Sequence, residues 1–180
     1  MKELIKFGLI LGIICLVATL VLAVTYEVTK PKIEAQSKRG ENAALKEIMP
    51  DAASFNEKEI GGIKYFEALK GKTIIGYCVT VVGEGYGGYM HLIVGIDQVG
   101  VIKGVRVLDH QETPGLGSQI SEVKPGEKDP GFLRQFIGKS ARTVEVGKNI
   151  DTITGATISS KAVTSAVNKT VNEFLAKMKR

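Results

Sequence analysis

Apolar positions along this chain fall into three regimes, and each predicts a different kind of element. Residues 7–26 carry no charged side chain. At about 1.5 Å per residue, a helix of that length crosses a hydrocarbon core of roughly 30 Å. The run therefore predicts one transmembrane helix, with Tyr26 as an interfacial anchor and residues 1–6 as its short N-terminal flank. From Lys32 to Met49 the chain is charged and helix-favouring, with Ile33, Ala44, Leu45, Ile48 and Met49 as apolar anchors. This predicts a connecting helix over 27–50, with Pro31 at a first turn or kink and Pro50-Asp51 at its end. The period then changes. Short β-branched and aromatic runs at 63–69, 73–82, 89–97 and 101–108, separated by glycine-containing turns, predict an antiparallel meander. Residues 111–131 read as irregular, 130–137 as a short helix and 142–146 as a last strand. Beyond them Ile158, Ala162, Val163, Ala166, Val167, Val171, Phe174, Leu175 and Met178 recur at three- and four-residue spacings, a helix with one apolar stripe. The order predicts an α+β domain over 51–180, a curved antiparallel sheet with helices packed on one side.

Composition alters this picture little. The net charge of +5 is spread over scattered lysines and arginines among nineteen acidic residues, so no basic face emerges. There is no tryptophan, and few aromatics lie beside basic residues, which argues against a nucleic-acid partner. Cys15 sits in the apolar run and Cys78 in the globular part; they neither pair easily nor match a metal-ligand spacing. Val21-Leu22-Ala23 resembles a signal-peptide cleavage site, but the apolar run is longer than a usual signal core, which favours a retained anchor. Ile14 stands where a lipid-modified Cys15 would need a small residue. Lysines flank both ends of the span, so the charge count gives no support for an external domain and leans weakly the other way.

Three stretches carry candidate chemistry. Asp151 to Lys161 places Thr157 in the first turn of the last helix, where free N–H groups and the helix dipole favour a phosphate or another anion. Gly155 and Ala156 leave room beside it. A plain Thr152 or Thr154 cap explains the same residues, and spacing alone favours the cap. Gly83 to Gly88 matches G-x-G-x-x-G formally, but the following run reads as a strand, so a glycine-rich hairpin fits better than a dinucleotide site. Asp109 to Gly117 follows a strand. His110 and Glu112 lack a convincing third metal ligand, and Pro114-Gly115 suits a type II turn. The loop reads equally as a turn or as a surface offering Glu112, Thr113 and main-chain N–H groups to a polar ring system. No serine sits in a G-x-S-x-G context with His/Asp partners, and no phosphate-binding G-x-x-x-x-G-K motif occurs.

Taken together, T-G-A-T-I-S-S at 154–160 with Asp151 upstream, H-Q-E-T-P-G-L-G at 110–117 and G-Y-G-G at 85–88 resemble the signatures of the FMN-binding domain family. With the N-terminal span, the whole chain is similar to the G subunits of the Rnf electron-transport complex. The longer C subunits of the sodium-pumping NADH:quinone reductase are the alternative, and a tethered flavin domain serving a separate extracellular reductase or sensor is a further one. The resemblance implies FMN joined through its phosphate to Thr157 by a separate flavin transferase. Asp151, Thr154, Gly155 and Ala156 would shape the attachment turn. Glu112, Thr113, Gly115, Leu116 and Gly117 would line the ring, and Gly87 and Gly88 would border the pocket. It further implies a single-pass protein of the cytoplasmic membrane, its flavin domain on the extracytoplasmic face. Electrons would pass singly between other membrane subunits of an ion-translocating ferredoxin:NAD oxidoreductase. Neither a metal nor a catalytic residue is expected, nor turnover from the isolated chain.

Overall fold

The structure, a computed structural model, describes residues 2–127 and 129–178. The chain divides into two compact units, Met1–Gly40 and Glu41–Arg180. The first lies within helix α1 (Lys2–Ile48), whose last turns belong to the second; the helix contains the predicted span and nearly all of the predicted connecting helix, with Pro31 inside it. Large apolar side chains in this unit, Leu9, Ile13, Leu16 and Leu20 among them, are exposed. A helix apolar all round and uncovered by protein suits a bilayer. The two threonines within residues 7–26 are satisfied internally, since Thr19 and Thr25 each donate to the carbonyl four residues back at 2.8 Å.

The second unit is built on a five-stranded antiparallel meander: β1 (Ser54–Ile60), β2 (Ile63–Lys70), β3 (Thr73–Glu84), β4 (Tyr89–Ile96) and β5 (Ile102–His110). Four strands match the apolar runs. The fifth, β1, is mostly exposed and charged and has no apolar alternation to betray it. Its main chain pairs with β2 over its whole length, and its lysine and glutamates suit an unpaired outer edge. Lys58 reaches across to the largely buried Glu67 at 2.8 Å.

Helices cover both faces of the sheet rather than the single face expected. On one side lies α3 (Thr157–Met178), burying Val163, Val167, Val171, Phe174 and Leu175 against Val79, Val81, Leu92 and Val94. Phe174 stacks obliquely on Tyr65, ring centroids 4.9 Å apart. On the other side the last turns of α1, with Met49 just after it, place Leu45, Ile48 and Met49 on Phe66, Ala68, Cys78 and Ile93. Two strand glycines make that approach possible. A Cβ on Gly95 would collide with Ile48 Cγ2, and one on Gly104 would lie 3.4 Å from it. Arg106 fixes the junction, its Nε donating to Glu47 at 2.7 Å and its guanidinium also pairing with Asp129.

Two local expectations fail and one is met over a shorter span. Residues 142–146 form reverse turns with one isolated bridge instead of a strand. Asn149 explains this: its amide donates to Thr143 O and its carbonyl oxygen accepts the Glu145 N–H, both at 2.8 Å, consuming groups a ladder would use. The short helix expected over 130–137 is helical only as α2 (Gly131–Arg134). Finally, the buried face of α3 begins with Ser159 and Ser160, leaving Ile158 exposed.

Candidate functional site

A cleft of about 370 Å³ opens where the β3–β4 turn, the loop after β5 and the start of α3 converge. Each wall follows from local chemistry. The glycine run does form a hairpin, closed by Gly85 N–H donating to Gly88 O at 2.8 Å, and a strand follows it. That order excludes the strand–turn–helix a dinucleotide fingerprint needs. The second wall starts at His110, whose Nε2 lies 2.9 Å from Ser121 Oγ and whose Nδ1 accepts the Glu112 N–H at 3.3 Å. His110 thus braces the loop. Among the described residues no group of three His, Cys, Asp or Glu side chains is placed to hold a metal. Pro114-Gly115 sits as a type II turn requires, with φ +75° at Gly115 and Leu116 N–H on Thr113 O at 3.2 Å.

The third wall is the turn before α3. Ala156 N–H donates to Ile153 O at 3.0 Å, with Gly155 at φ +81° in the position that demands glycine. Ser160 straps the turn to the helix, its Oγ accepting the Ile153 N–H at 3.0 Å and donating to Ala156 O at 2.9 Å. Thr157 is the first helical residue, with an exposed side chain. Neither Thr152 nor Thr154 caps this helix: the capping position is Ala156, which has no side-chain oxygen. Ser160 is the first residue whose N–H finds a main-chain acceptor, Ala156 O at 3.0 Å. Among the described residues the N–H groups of Thr157, Ile158 and Ser159 have none. Three free donors and the positive end of a long helix therefore meet at one exposed hydroxyl, an arrangement that stabilises an anion.

Of the residues singled out in the sequence, Glu112, Thr113, Leu116, Gly117, Gly155, Ala156 and Thr157 line the cleft. Gly87 stands behind it, donating its N–H to Glu112 Oε1 at 3.2 Å. Gly88, at φ +138°, packs on the Gln111 side chain, and Gly115 shapes its turn. Asp151 and Thr154 are exposed and do not line the cleft. The Asp151 main chain is pinned by Gln135, which accepts its N–H at 2.8 Å and donates to its carbonyl at 3.2 Å. Three lining residues were missed in the sequence: Tyr86, Ile158 and Ser159. The two serines interrupting the apolar stripe at 159–160 were the available signal for the last. Tyr86, Leu116 and Ile158 are 73%, 47% and 56% exposed, a set of uncovered apolar side chains suited to the face of a flat ring.

The sequence has relatives among known proteins. The family model described as the FMN-binding domain matches residues 85–172, which includes every cleft-lining residue, and that described as the RnfG N-terminal region matches 1–48. The chain is 38% identical to the G subunit of the Na(+)-translocating ferredoxin:NAD(+) oxidoreductase complex of Acetobacterium woodii, over 96% of this chain and 92% of that one. The chain belongs to the family of Rnf G subunits. Another relative, the G subunit of the proton-translocating ferredoxin:NAD(+) oxidoreductase complex of Clostridium ljungdahlii, is 34% identical over 91% of this chain and 87% of its own. Among solved structures, the C subunit of the Na(+)-translocating NADH-quinone reductase from Parabacteroides distasonis shares the fold, with TM-score 0.52 and 22% identity. The match covers 66% of this Rnf G-type chain and 63% of that chain, and it bears on fold alone.

Proposed function

We propose that this Rnf G-type protein carries one FMN on Thr157 and passes electrons through it between neighbouring subunits of an ion-translocating ferredoxin:NAD oxidoreductase anchored in the membrane. The carrying observation is the exposed Thr157 hydroxyl on an uncapped helix start, at the cleft where three sequence-distant motifs meet. The residues present fit the cofactor. A phosphate ester on Thr157 would be held by the free N–H groups of Thr157, Ile158 and Ser159. Leu116, Ile158 and Tyr86 would cover the ring's apolar area, and Thr113 would offer a hydroxyl to its polar edge. Gly155 keeps its wall low enough for a bulky ligand, and Gly117 makes room for the Glu112 carboxylate in the wall opposite. Bound FMN supplies the redox chemistry; the protein supplies attachment, orientation and electrostatics. Asp151 and Thr154 lie outside the cleft and would shape the attachment turn from its exposed side.

Attachment through an ester keeps the carrier in place on the extracytoplasmic side, where we place the domain. Electron partners are the other membrane subunits, and the isolated chain should show no turnover. The test is covalent flavin itself: full-length protein coexpressed with a flavin transferase should fluoresce as a flavin in a denaturing gel, and Thr157→Ala should abolish the band.

A further inference from the structure

One side chain in the cleft is held in a way the attachment chemistry does not explain. Glu112 is 6% exposed yet lines the cavity. Both its oxygens act as acceptors: Oε2 takes the Ser159 hydroxyl at 2.6 Å and Oε1 takes the Gly87 N–H at 3.2 Å. Acceptance at both oxygens, one of them at charge-assisted length, is the pattern of an ionised carboxylate. Among the described residues no Lys, Arg or His nitrogen lies within 4.0 Å of it. The chain is also shaped around this group. A Cβ on Gly85 would collide with Oε1, and one on Gly117 would collide with Oε2. A buried charge without a cation is a cost to folding, and its persistence beside a cleft points to use there.

We infer that Glu112 is a positioning and tuning residue: its unpaired negative charge, fixed between the β3–β4 turn and the first turn of α3, holds down the reduction potential of the flavin attached next to it. This rests on the reading of the cleft as the FMN site. A fixed negative charge in a poorly solvated wall opposes the arrival of electrons on a neighbouring group, and the opposition grows as the local dielectric falls. The hydrogen bonds from Ser159 and Gly87 keep the carboxylate in place and disperse part of its charge. Glu112→Gln keeps the size and one acceptor but removes the charge. Ser159→Ala keeps the charge and removes the donor that disperses it. Loss of a merely structural clamp would affect both variants alike, whereas a charge effect moves them in opposite directions.

The experiment is an equilibrium titration of full-length, covalently flavinylated protein. Dithionite supplies the electrons for two-electron reduction, and a reference dye reports the potential. Glu112→Gln should favour the reduced flavin at least tenfold, a rise of about 30 mV for a two-electron couple. Ser159→Ala should shift the equilibrium the other way, and Glu112→Asp should restore a value close to the parent. An unchanged potential in Glu112→Gln, or shifts of the same sign in Glu112→Gln and Ser159→Ala, overturns the inference. If Glu112→Gln takes up no flavin, Ser159→Ala decides: a lower potential supports the charge effect, and an equal or higher one overturns it. Absence of covalent flavin from the unsubstituted protein would instead refute the reading of the site.

Discussion

Gly155→Ala is the substitution through which the attachment turn is best probed. Gly155 has φ +81°, and a Cβ built on it lies 3.2 Å from Leu116 Cδ2. An L-residue in that backbone region costs about 1–2 kcal/mol, and the Leu116 contact adds crowding on the cleft wall itself. A kcal/mol lowers Tm by roughly 2–4 °C in a protein of this size. The expected loss is therefore about 2–8 °C, measured by far-UV circular dichroism of the full chain in detergent. The control is Gly71→Ala in the β2–β3 turn, where φ is +67° but nothing lies within 4 Å of the added carbon. Both variants should lose stability through the backbone, but only Gly155→Ala should also lose covalent flavin when coexpressed with the transferase. A Gly155→Ala protein that is as stable as its parent and fully flavinylated would refute the claim that this turn must be glycine to present Thr157.

Two further outcomes follow from burial and topology. Cys78 is fully buried against Leu45 and Ile93, and burial pushes its thiol up to about 12 from an ordinary value of 9.0. Its contribution to stability is intact below about pH 9 and is lost as pH rises from there toward about 12, because only the unfolded chain releases the proton easily. A Cys15→Ala protein should therefore resist maleimide at about pH 7.5, below the ordinary thiol range, until it is denatured, and rapid labelling of the native form would contradict the packing. Protease added to intact cells should remove residues 41–180, and protection that persists in spheroplasts would reverse the proposed orientation.

What the sequence made legible divides along physical lines. Elements with a strong apolar period were readable: residues 7–26, four of the strands and α3 all announce themselves by their apolar pattern. β1 was not, because its reason for being a strand is main-chain pairing with β2, which leaves no mark on side-chain polarity. The turn at 142–146 was misread for the opposite reason: β-branched residues suggested a strand, while Asn149, several residues away, had already claimed the backbone. At the site, the glycines and the loop motif pointed to the cleft, but its apolar rim was hidden. Ile158 looked like the first residue of the buried stripe, and only the inward turn of Ser159 and Ser160 shows why it faces out. Thr154 and Asp151 belong to the motif without lining the cavity, so a motif match overstates how many of its members touch a ligand.

The central claim is that one hydroxyl, Thr157, is the attachment point. It is tested most directly by expressing the full chain with a flavin transferase, denaturing it, and comparing flavin fluorescence in the gel for the parent, Thr157→Ala, Thr154→Ala and Thr157→Ser. With Thr157 as the acceptor, the parent should give a fluorescent band, Thr157→Ala none, and Thr157→Ser and, at least in part, Thr154→Ala should retain labelling. Fluorescence that survives Thr157→Ala but disappears in Thr154→Ala would contradict it.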